Sequence, residues 1–400
     1  MRRAAAFSCS HERGAQAPQS APRASGASTA RSAEESQPWG WGPTALMDGM
    51  QRREFLETVA LASPLARSAQ APALKIDIHN HFYPASYFEM VRELGAPDYR
   101  FATDASGATT IEFRGTRFFG VQPPMTDAAL RIQEMDRVGV DVQVLSLSVP
   151  NVYFADEGRE AEIARKTNDA YAELVAQNPR RFKALASIPM DVPDEASKEL
   201  ARALDELKLQ GVLLLSHIRG KPLTDPRFRP FFEEANRRGL FVLIHPMLPV
   251  GMAEQLKDYV LGPLVGFPFD STLAVARMCF DGLFRDFPRI RFLVPHLGGA
   301  IPYLLPRLDQ GYRDFPACRE KIDQPPSFYL KKLYFDTVSA GPSTVAFVRE
   351  LVGADHLAFG SDYPHLPGSM SGSVEVVEGL PASDRAQIFS GTALAILNNV

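Results

Sequence analysis

The stretch Lys75–His81 reads Lys-Ile-Asp-Ile-His-Asn-His, and it starts the part of the chain that looks folded. We predict a strand over Leu74–Ile78, with two histidines just beyond its end. Seven further short, nearly continuous apolar runs follow, as is typical of parallel strands covered on both faces. They are Val140–Leu147, Phe182–Ile188, Val212–Leu215, Phe241–Ile244, Arg291–Pro295, Leu333–Phe335 and Leu357–Phe359.

Helical segments alternate with these runs; examples are Asp127–Val138, Glu160–Gln177, Pro193–Lys208, Pro230–Arg238 and Ser271–Asp286. Eight alternations predict an α/β fold, a (β/α)8 TIM-type barrel, for which roughly 250 residues suffice. A doubly wound open sheet is the alternative. Between the first two strands, Thr109–Arg114 and Thr116–Val121 predict a small hairpin insertion turning at Gly115.

Composition excludes several other classes. The chain has 400 residues, 45% of them hydrophobic and 22% charged, which is typical of a globular protein with a sizeable core. A net charge of −4 argues against a nucleic-acid partner. The three cysteines lie far apart, which argues against a disulfide framework or a thiolate zinc site. No apolar run approaches the roughly 20 residues needed to span a bilayer.

The first 71 residues are expected to lie outside the fold. Residues 1–46 are rich in Ala, Ser, Arg, Gln and Gly, so we expect a disordered extension, or an untranslated one if the chain starts at Met47 or Met50. Residues 47–71 contain paired arginines, a short apolar stretch and a small-residue ending, which resemble a twin-arginine export signal. We therefore expect a periplasmic or otherwise exported protein; the alternative is an ordinary amphipathic helix on a cytoplasmic protein. The barrel is expected over residues 72–400.

Histidines and one aspartate stand at four predicted strand ends, where barrel active sites are built. His79 and His81 alternate, so on an extended chain both side chains share one face. His245, His296 and Asp362 follow the fifth, sixth and eighth strands. Each residue alone is more often a hydrogen-bonded core or rim residue. Four strand ends that carry metal-ligand residue types at one rim instead predict a functional site.

The motifs around these residues resemble a known family. D-I-H-N-H, L-I-H-P, P-H-L-G-G and F-G-S-D-Y-P, in this order, look like the metal-dependent amidohydrolase superfamily (amidohydrolase-2 type). More narrowly, they resemble its branch of aminocarboxymuconate semialdehyde decarboxylase and related carboxy-lyases. Glu134–Asp136, Gly266–Thr272 and Phe389–Ala393 match as well, and the resemblance runs from Ile76 to Leu397.

The resemblance implies a metal site and a catalytic histidine. His79, His81, His245 and Asp362 would bind one divalent ion; zinc is expected, although nickel, manganese or iron suit the same ligands. Other superfamily members bridge two metals with a carboxylated lysine after strand four. The segment 211–217 contains no lysine, so one ion is expected. His296 would move a proton to or from an ion-bound water, and Asp362 could share this role.

Substrate contacts are implied less directly. Arg307 matches the decarboxylase arginine that reaches into a neighbouring subunit, which implies a homodimer; the alternative is a solvated helix arginine. Arg114, Arg117 and Arg219 are weaker candidates for binding a substrate carboxylate.

Other polar residues near the strand ends have lesser expected roles. His217 matches a histidine of close relatives and is a substrate-contact candidate. His365 stands where the decarboxylase carries an aromatic residue, which suggests a different ligand. Asp336, at the end of strand seven, is expected to support a metal ligand or to be structural, and His356 is expected to be structural.

The leading hypothesis is an enzyme, a mononuclear metal-dependent carboxy-lyase. Its substrate would be a small unsaturated or aromatic carboxylate. A hydrolase that opens a lactone or amide, or a hydratase, would need the same parts. A non-catalytic binding protein with this fold is the remaining alternative.

Overall fold

The structure, a computed structural model, describes residues 74–103, 107–156, 158–251, 253–256, 258–338 and 341–397. The predicted extension over 1–46 and the predicted export signal over 47–71 lie outside these residues, so both stay predictions. Within the described ranges, no helix combines the length and apolar character that a bilayer crossing requires.

The described chain alternates strands and helices throughout. The strands are β1 (Ile76–His81), β2 (Tyr99–Thr103), β3 (Thr109–Phe113), β4 (Thr116–Gly120), β5 (Val142–Ser146), β6 (Phe182–Ala184), β7 (Ala186–Ser187), β8 (Val212–Leu215), β9 (His217–Ile218), β10 (Lys221–Pro222), β11 (Phe241–His245), β12 (Arg291–Val294), β13 (Tyr334–Asp336) and β14 (Leu357–Ala358). The α-helices are α1 (Ala85–Leu94), α2 (Ala128–Val138), α3 (Glu160–Gln177), α4 (Pro193–Asp205), α5 (Arg229–Arg238), α6 (Phe267–Phe280), α7 (Leu283–Asp286), α8 (Ile301–Asp314), α9 (Pro326–Leu330), α10 (Pro342–Val352), α11 (Met370–Glu378), α12 (Ala382–Ala386) and α13 (Thr392–Ile396).

The parallel strands form a barrel. One parallel sheet has the order β1-β5-β6 and the other the order β14-β13-β12-β11-β8-β7. Leu185 alone separates β6 from β7, so one strand position joins the two sheets. At the other junction, the Ile78 amide donates to the Phe359 carbonyl over 2.9 Å. The predicted TIM-type barrel is confirmed, and each of the eight predicted runs contributes a strand.

The first strand is longer than predicted. β1 continues to His81, so His79 and His81 lie within the strand rather than beyond its end, and all six of its residues are buried. The prediction ended at Ile78 because it took the end of the apolar run as the end of the strand. The strand continues through His79, Asn80 and His81, which are polar but fully buried.

The insertion after β1 has three strands rather than two. β2, β3 and β4 pair antiparallel in chain order, and the rings of Tyr99 and Phe113 pack with centroids 4.9 Å apart. The predicted hairpin corresponds to β3 and β4. The sequence analysis missed β2, a short partly exposed strand whose pairing depends on β3. β4 contributes side chains to the cavity described below.

Candidate active site

Four side chains converge at the carboxyl end of the barrel. His79, His81, His245 and Asp362 each offer one ligand atom, and these atoms all lie within 4.8 Å of one another. The Nε2 atoms of His79 and His81 are 3.1 Å apart, and Asp362 Oδ1 lies 3.1 Å from His81 Nε2. Three imidazoles and a carboxylate are a donor set that suits a divalent transition metal and leaves positions open for other ligands.

Hydrogen bonds hold the three histidines in the form that a metal needs. The Nδ1 atom of His79 donates to Asp336 Oδ2 over 2.6 Å, and that of His245 donates to the Pro246 carbonyl over 2.8 Å. The Ser146 hydroxyl donates to the Asn80 carbonyl, so its oxygen is free to accept from His81 Nδ1 at 3.1 Å. With Nδ1 protonated in all three rings, each Nε2 lone pair is available to bind an ion.

The charges in the cluster also favour a bound cation. Burial lowers the pKa of His81 to about 3 and that of His245 well below its ordinary value, so both rings stay neutral. Burial alone would raise the pKa of Asp362, but hydrogen bonds with His296 and His81 outweigh it and hold this pKa well below its usual range. His81 and His245 therefore present neutral imidazoles and Asp362 presents an anionic carboxylate, the forms in which these groups bind a metal. The pKa of His79 is instead raised, because burial alone would lower it but the hydrogen bond with Asp336 and the charge of that carboxylate outweigh burial.

His296 lies beside the cluster. Its Nε2 atom is 3.5 Å from Asp362 Oδ2. The other carboxylate oxygen, Oδ1, faces His81. Its Nδ1 atom is buried without a hydrogen-bond partner in the described structure. A histidine in this place can exchange a proton with a group bound next to the cluster.

A cavity of about 620 Å³ opens onto these residues, and its lining includes His245, His296, Asp362 and His365. This volume falls within the range of roughly 300–1,000 Å³ that is common for small-molecule sites. Most of the remaining wall is apolar; it includes Val149, Val260, Leu264, Phe119, Phe267, Val338 and Leu366. Such a wall suits the ring or the carbon skeleton of a small organic substrate.

Comparison with known proteins places this site in a family. Residues 76–398 match the sequence pattern of the family described as Amidohydrolase. The chain belongs to the amidohydrolase family. A 2-amino-3-carboxymuconate-6-semialdehyde decarboxylase of Dictyostelium discoideum is 31% identical over 334 residues, which cover 81% of this chain and 92% of that protein. The chain thus lies in the branch of this family that contains decarboxylases.

Two solved structures of decarboxylases have the same fold as this chain. The 5-carboxyvanillate decarboxylase LigW of Sphingomonas paucimobilis superposes with a TM-score of 0.71 at 26% identity, covering 81% of this chain and 98% of its own. A dihydroxybenzoic acid decarboxylase of Polaromonas sp. JS666 has a TM-score of 0.68 at 24% identity, covering 81% and 96% of the two chains. The second structure contains bound manganese and the inhibitor 2-nitroresorcinol.

Of the three predicted substrate contacts, only one lies at the described cavity. His365 lines the cavity, and its Nε2 atom is 2.9 Å from the Tyr83 hydroxyl. Within the described chain, the cavity lining does not include His217 or Arg307. Both ring nitrogens of His217 face the backbone, at 3.2 Å from the Leu248 carbonyl and 3.1 Å from the Gly220 amide. Arg307 is exposed on α8.

The three weaker arginine candidates also lie in different places. Arg117, on β4, lines the cavity and is the one lysine or arginine to do so among the described residues. Arg114 instead pairs with Asp98 over 2.8 Å, and Arg219 pairs with buried Glu160 over 2.6 Å. Sequence reasoning ranked Arg307 first because the motif match extends to α8, whereas no motif covers the insertion.

The sequence analysis missed several residues whose side chains contact the histidines of the site. Ser146 and Ser148 stand at and just beyond the end of β5, and their hydroxyls lie 3.1 Å from His81 Nδ1 and 3.4 Å from His245 Nε2. Tyr83 holds His365, as described above. A signal for the serines exists in the sequence, since two hydroxyls at alternate positions near the end of an apolar strand face the same side.

Proposed function

We propose that the protein is a metal-dependent carboxy-lyase that removes the carboxylate of a small aromatic or unsaturated acid. The observation that carries the proposal is the position of His296 and Asp362, 3.5 Å apart on the wall of an apolar cavity, beside a four-residue metal-ligand cluster. In a chain of the decarboxylase branch, this arrangement provides an acid–base pair next to an apolar binding space.

We further propose that His79, His81, His245 and Asp362 hold one divalent ion, with zinc as the expected metal and manganese as the main competitor. The Nδ1 atoms of the three histidines donate hydrogen bonds, which leaves each Nε2 lone pair available to bind such an ion. When bound, the ion supplies positive charge that stabilises a substrate anion.

The residues of the chain itself account for binding and proton transfer. Phe119 and Phe267 pack against the apolar part of the substrate, and Arg117 is placed to pair with a carboxylate. When the bond between the substrate carbon and its carboxylate breaks, CO₂ leaves. The electron pair of the broken bond stays on the substrate carbon. A proton must then reach this carbon. His296 Nε2, which lies 3.5 Å from the anionic carboxylate of Asp362, is placed beside the cavity to deliver it.

Release of CO₂ tests this function. Purified protein is incubated with a panel of hydroxylated benzoic acids and unsaturated dicarboxylic acids, and the released gas is trapped and counted. We expect CO₂ from at least one acid, and we expect a strong chelator to abolish it, because the ligand cluster would then be without its ion. Cleavage of lactones or amides without CO₂ would assign a hydrolase, and addition of water to a double bond would assign a hydratase.

Metal analysis tests the proposed ion. We expect about one ion per purified chain, because the cluster has four ligands and residues 211–217 contain no lysine that could bridge two ions. Replacing His245 with alanine should lower this content, because it removes one of four ligands. The same replacement at His356, which bonds the Leu333 carbonyl, should leave it unchanged. Two ions per chain, or manganese in place of zinc after growth with both metals, would contradict the corresponding part of the proposal.

We also propose a homodimer in which Arg307 completes the site of the neighbouring subunit. Apolar side chains on two helices support it. Phe269 and Leu273 on α6 are 56% and 58% exposed, and Tyr303 on α8, one turn before Arg307, is 79% exposed. Large exposed apolar side chains on two helices that contact each other are typical of a surface that a partner subunit covers.

The export of the protein is a separate proposal, which rests on the paired arginines and apolar stretch of residues 47–71. Expression with a carboxyl-terminal tag, followed by cell fractionation and amino-terminal sequencing, tests it. We expect periplasmic protein that starts near Pro72. Protein that keeps residues 47–71 and fractionates with the cytoplasm would contradict export.

A further inference from the structure

Asp336 is a fully buried carboxylate at the end of β13. Its Oδ2 atom accepts from His79 Nδ1 over 2.6 Å and from the His296 amide over 3.1 Å. Its Oδ1 atom accepts from the Leu297 amide over 2.8 Å and from the Val338 amide over 3.2 Å. One side chain thus contacts both a member of the metal-ligand cluster and the backbone of the proposed proton-transfer residue.

The backbone at His296 needs such support. His296 and Leu297 have φ angles of 53° and 54°, a left-handed conformation that residues with a Cβ adopt only at a cost. The turn is also tightly packed, because a Cβ on Gly299 would come within 2.7 Å of Thr272 Oγ1. Two consecutive strained residues persist only where surrounding contacts hold them, and two of those contacts come from Asp336.

The orientation of the His296 ring depends on this turn. The Nδ1 atoms of His79, His81 and His245 all have hydrogen-bond partners, whereas the buried Nδ1 atom of His296 has none in the described structure. No group among the described residues therefore fixes this ring through Nδ1. Its direction relative to Asp362 depends on the packing of the ring against His79 and His245 and on the backbone conformation of residues 296–297, which Asp336 stabilises.

We propose that Asp336 is a positioning residue that aligns the metal site and the proton-transfer histidine together. This inference rests on the proposed function for the roles of the two histidines. Through Oδ2, Asp336 keeps the proton of His79 on Nδ1 and leaves Nε2 free for the ion. Through both oxygens, it holds the amides of the His296 turn. A single carboxylate thereby fixes the distance between the ion and the acid–base group.

The variant Asp336→Asn separates this role from simple packing, because it keeps the size and removes one acceptor oxygen. Whichever way the amide lies, its NH₂ group faces two hydrogen-bond donors. If it faces His79, the ring must take its proton on Nε2 to accept from the amide, and the Nε2 lone pair is lost. The matched control is Asp384→Asn, which alters a buried carboxylate that pairs with Arg349 over 2.7 Å.

The first measurement is metal affinity, by competition with a chelator, in the purified variants without substrate. We expect Asp336→Asn to bind the ion about 10- to 100-fold more weakly than the unmodified protein, and Asp384→Asn to bind it equally well. Nitrogen NMR of labelled histidine in metal-free protein should show the tautomer of one ring changed in Asp336→Asn alone. Affinity within about twofold of the unmodified protein would overturn the inference.

The second measurement is turnover at saturating metal, with an acid that the CO₂ panel identifies. We expect kcat of Asp336→Asn to stay at least about tenfold low with KM nearly unchanged, because the His296 turn remains loosened when the ion is restored. Full recovery of kcat would show that Asp336 acts through His79 alone and would overturn the shared role.

A conservative variant keeps the inference testable if Asp336→Asn does not fold. Asp336→Glu retains a carboxylate, and its metal affinity should exceed that of Asp336→Ser; equal affinities would contradict the inference. Failure of the proposed function looks different. If the unmodified protein binds metal and Asp336→Asn loses affinity, but no acid releases CO₂, the metal-site half of the positioning role stands and the lyase assignment fails.

Discussion

Replacement of His296 with alanine is expected to lower kcat by about 10²- to 10⁴-fold while the metal content stays the same. The reason is geometric. The four ligand atoms that lie within 4.8 Å of one another belong to His79, His81, His245 and Asp362, and His296 is not among them. Its Nε2 atom lies 3.5 Å from Asp362 Oδ2, and its ring packs edge-on against the rings of His79 and His245 without offering them a ligand atom. Its loss removes a proton donor from the cavity wall and leaves the ligands in place.

The control for this experiment is His356→Ala. The His356 ring stacks on Tyr334, and its Nδ1 atom donates to the Leu333 carbonyl over 3.0 Å. This variant should keep both turnover and metal. Each other result for His296→Ala has a defined meaning. Loss of the ion would make His296 a ligand, and a loss of tenfold or less in kcat would move the main proton-transfer role to Asp362.

The barrel and the ligand cluster could be predicted because their signals are local. Runs such as Val212–Leu215 are buried at every position, so hydrophobicity alone marks them as strands. His245 and Asp362 follow such runs, and the ends of parallel strands meet at one rim of a barrel. The alternation of His79 and His81 already places both on one face. No long-range contact had to be known in advance.

Contacts between distant parts of the chain could not be predicted in the same way. Asp336 and His79 are 257 residues apart, and nothing local in either segment shows that the carboxylate also holds the His296 turn. Arg117 reaches the cavity because the three-stranded insertion packs over the barrel rim, and no motif covers that insertion. Its place in the cavity depends on the register of β3 with β4, which sequence patterns specify only weakly.

Two impaired variants are expected to restore activity when they share a dimer. In the proposed homodimer, Arg307→Ala removes the arginine that completes the site of the partner subunit. We expect kcat/KM to fall by about 10- to 100-fold, because an ion pair with the substrate carboxylate is lost. His296→Ala disables its own site. Neither variant should turn over substrate well alone, although Arg307 does not line the described cavity of its own subunit.

Coexpression of the two variants distinguishes a shared site from a self-contained one. In a mixed dimer, the Arg307→Ala chain keeps His296 and receives Arg307 from its partner, so one of the two sites is complete. Random assortment would then restore roughly a quarter of the unmodified activity. If each site used its own Arg307, mixing would restore nothing. If Phe269 and Leu273 form the interface, replacing both with aspartate should yield monomers and abolish the complementation, because buried charges would oppose association.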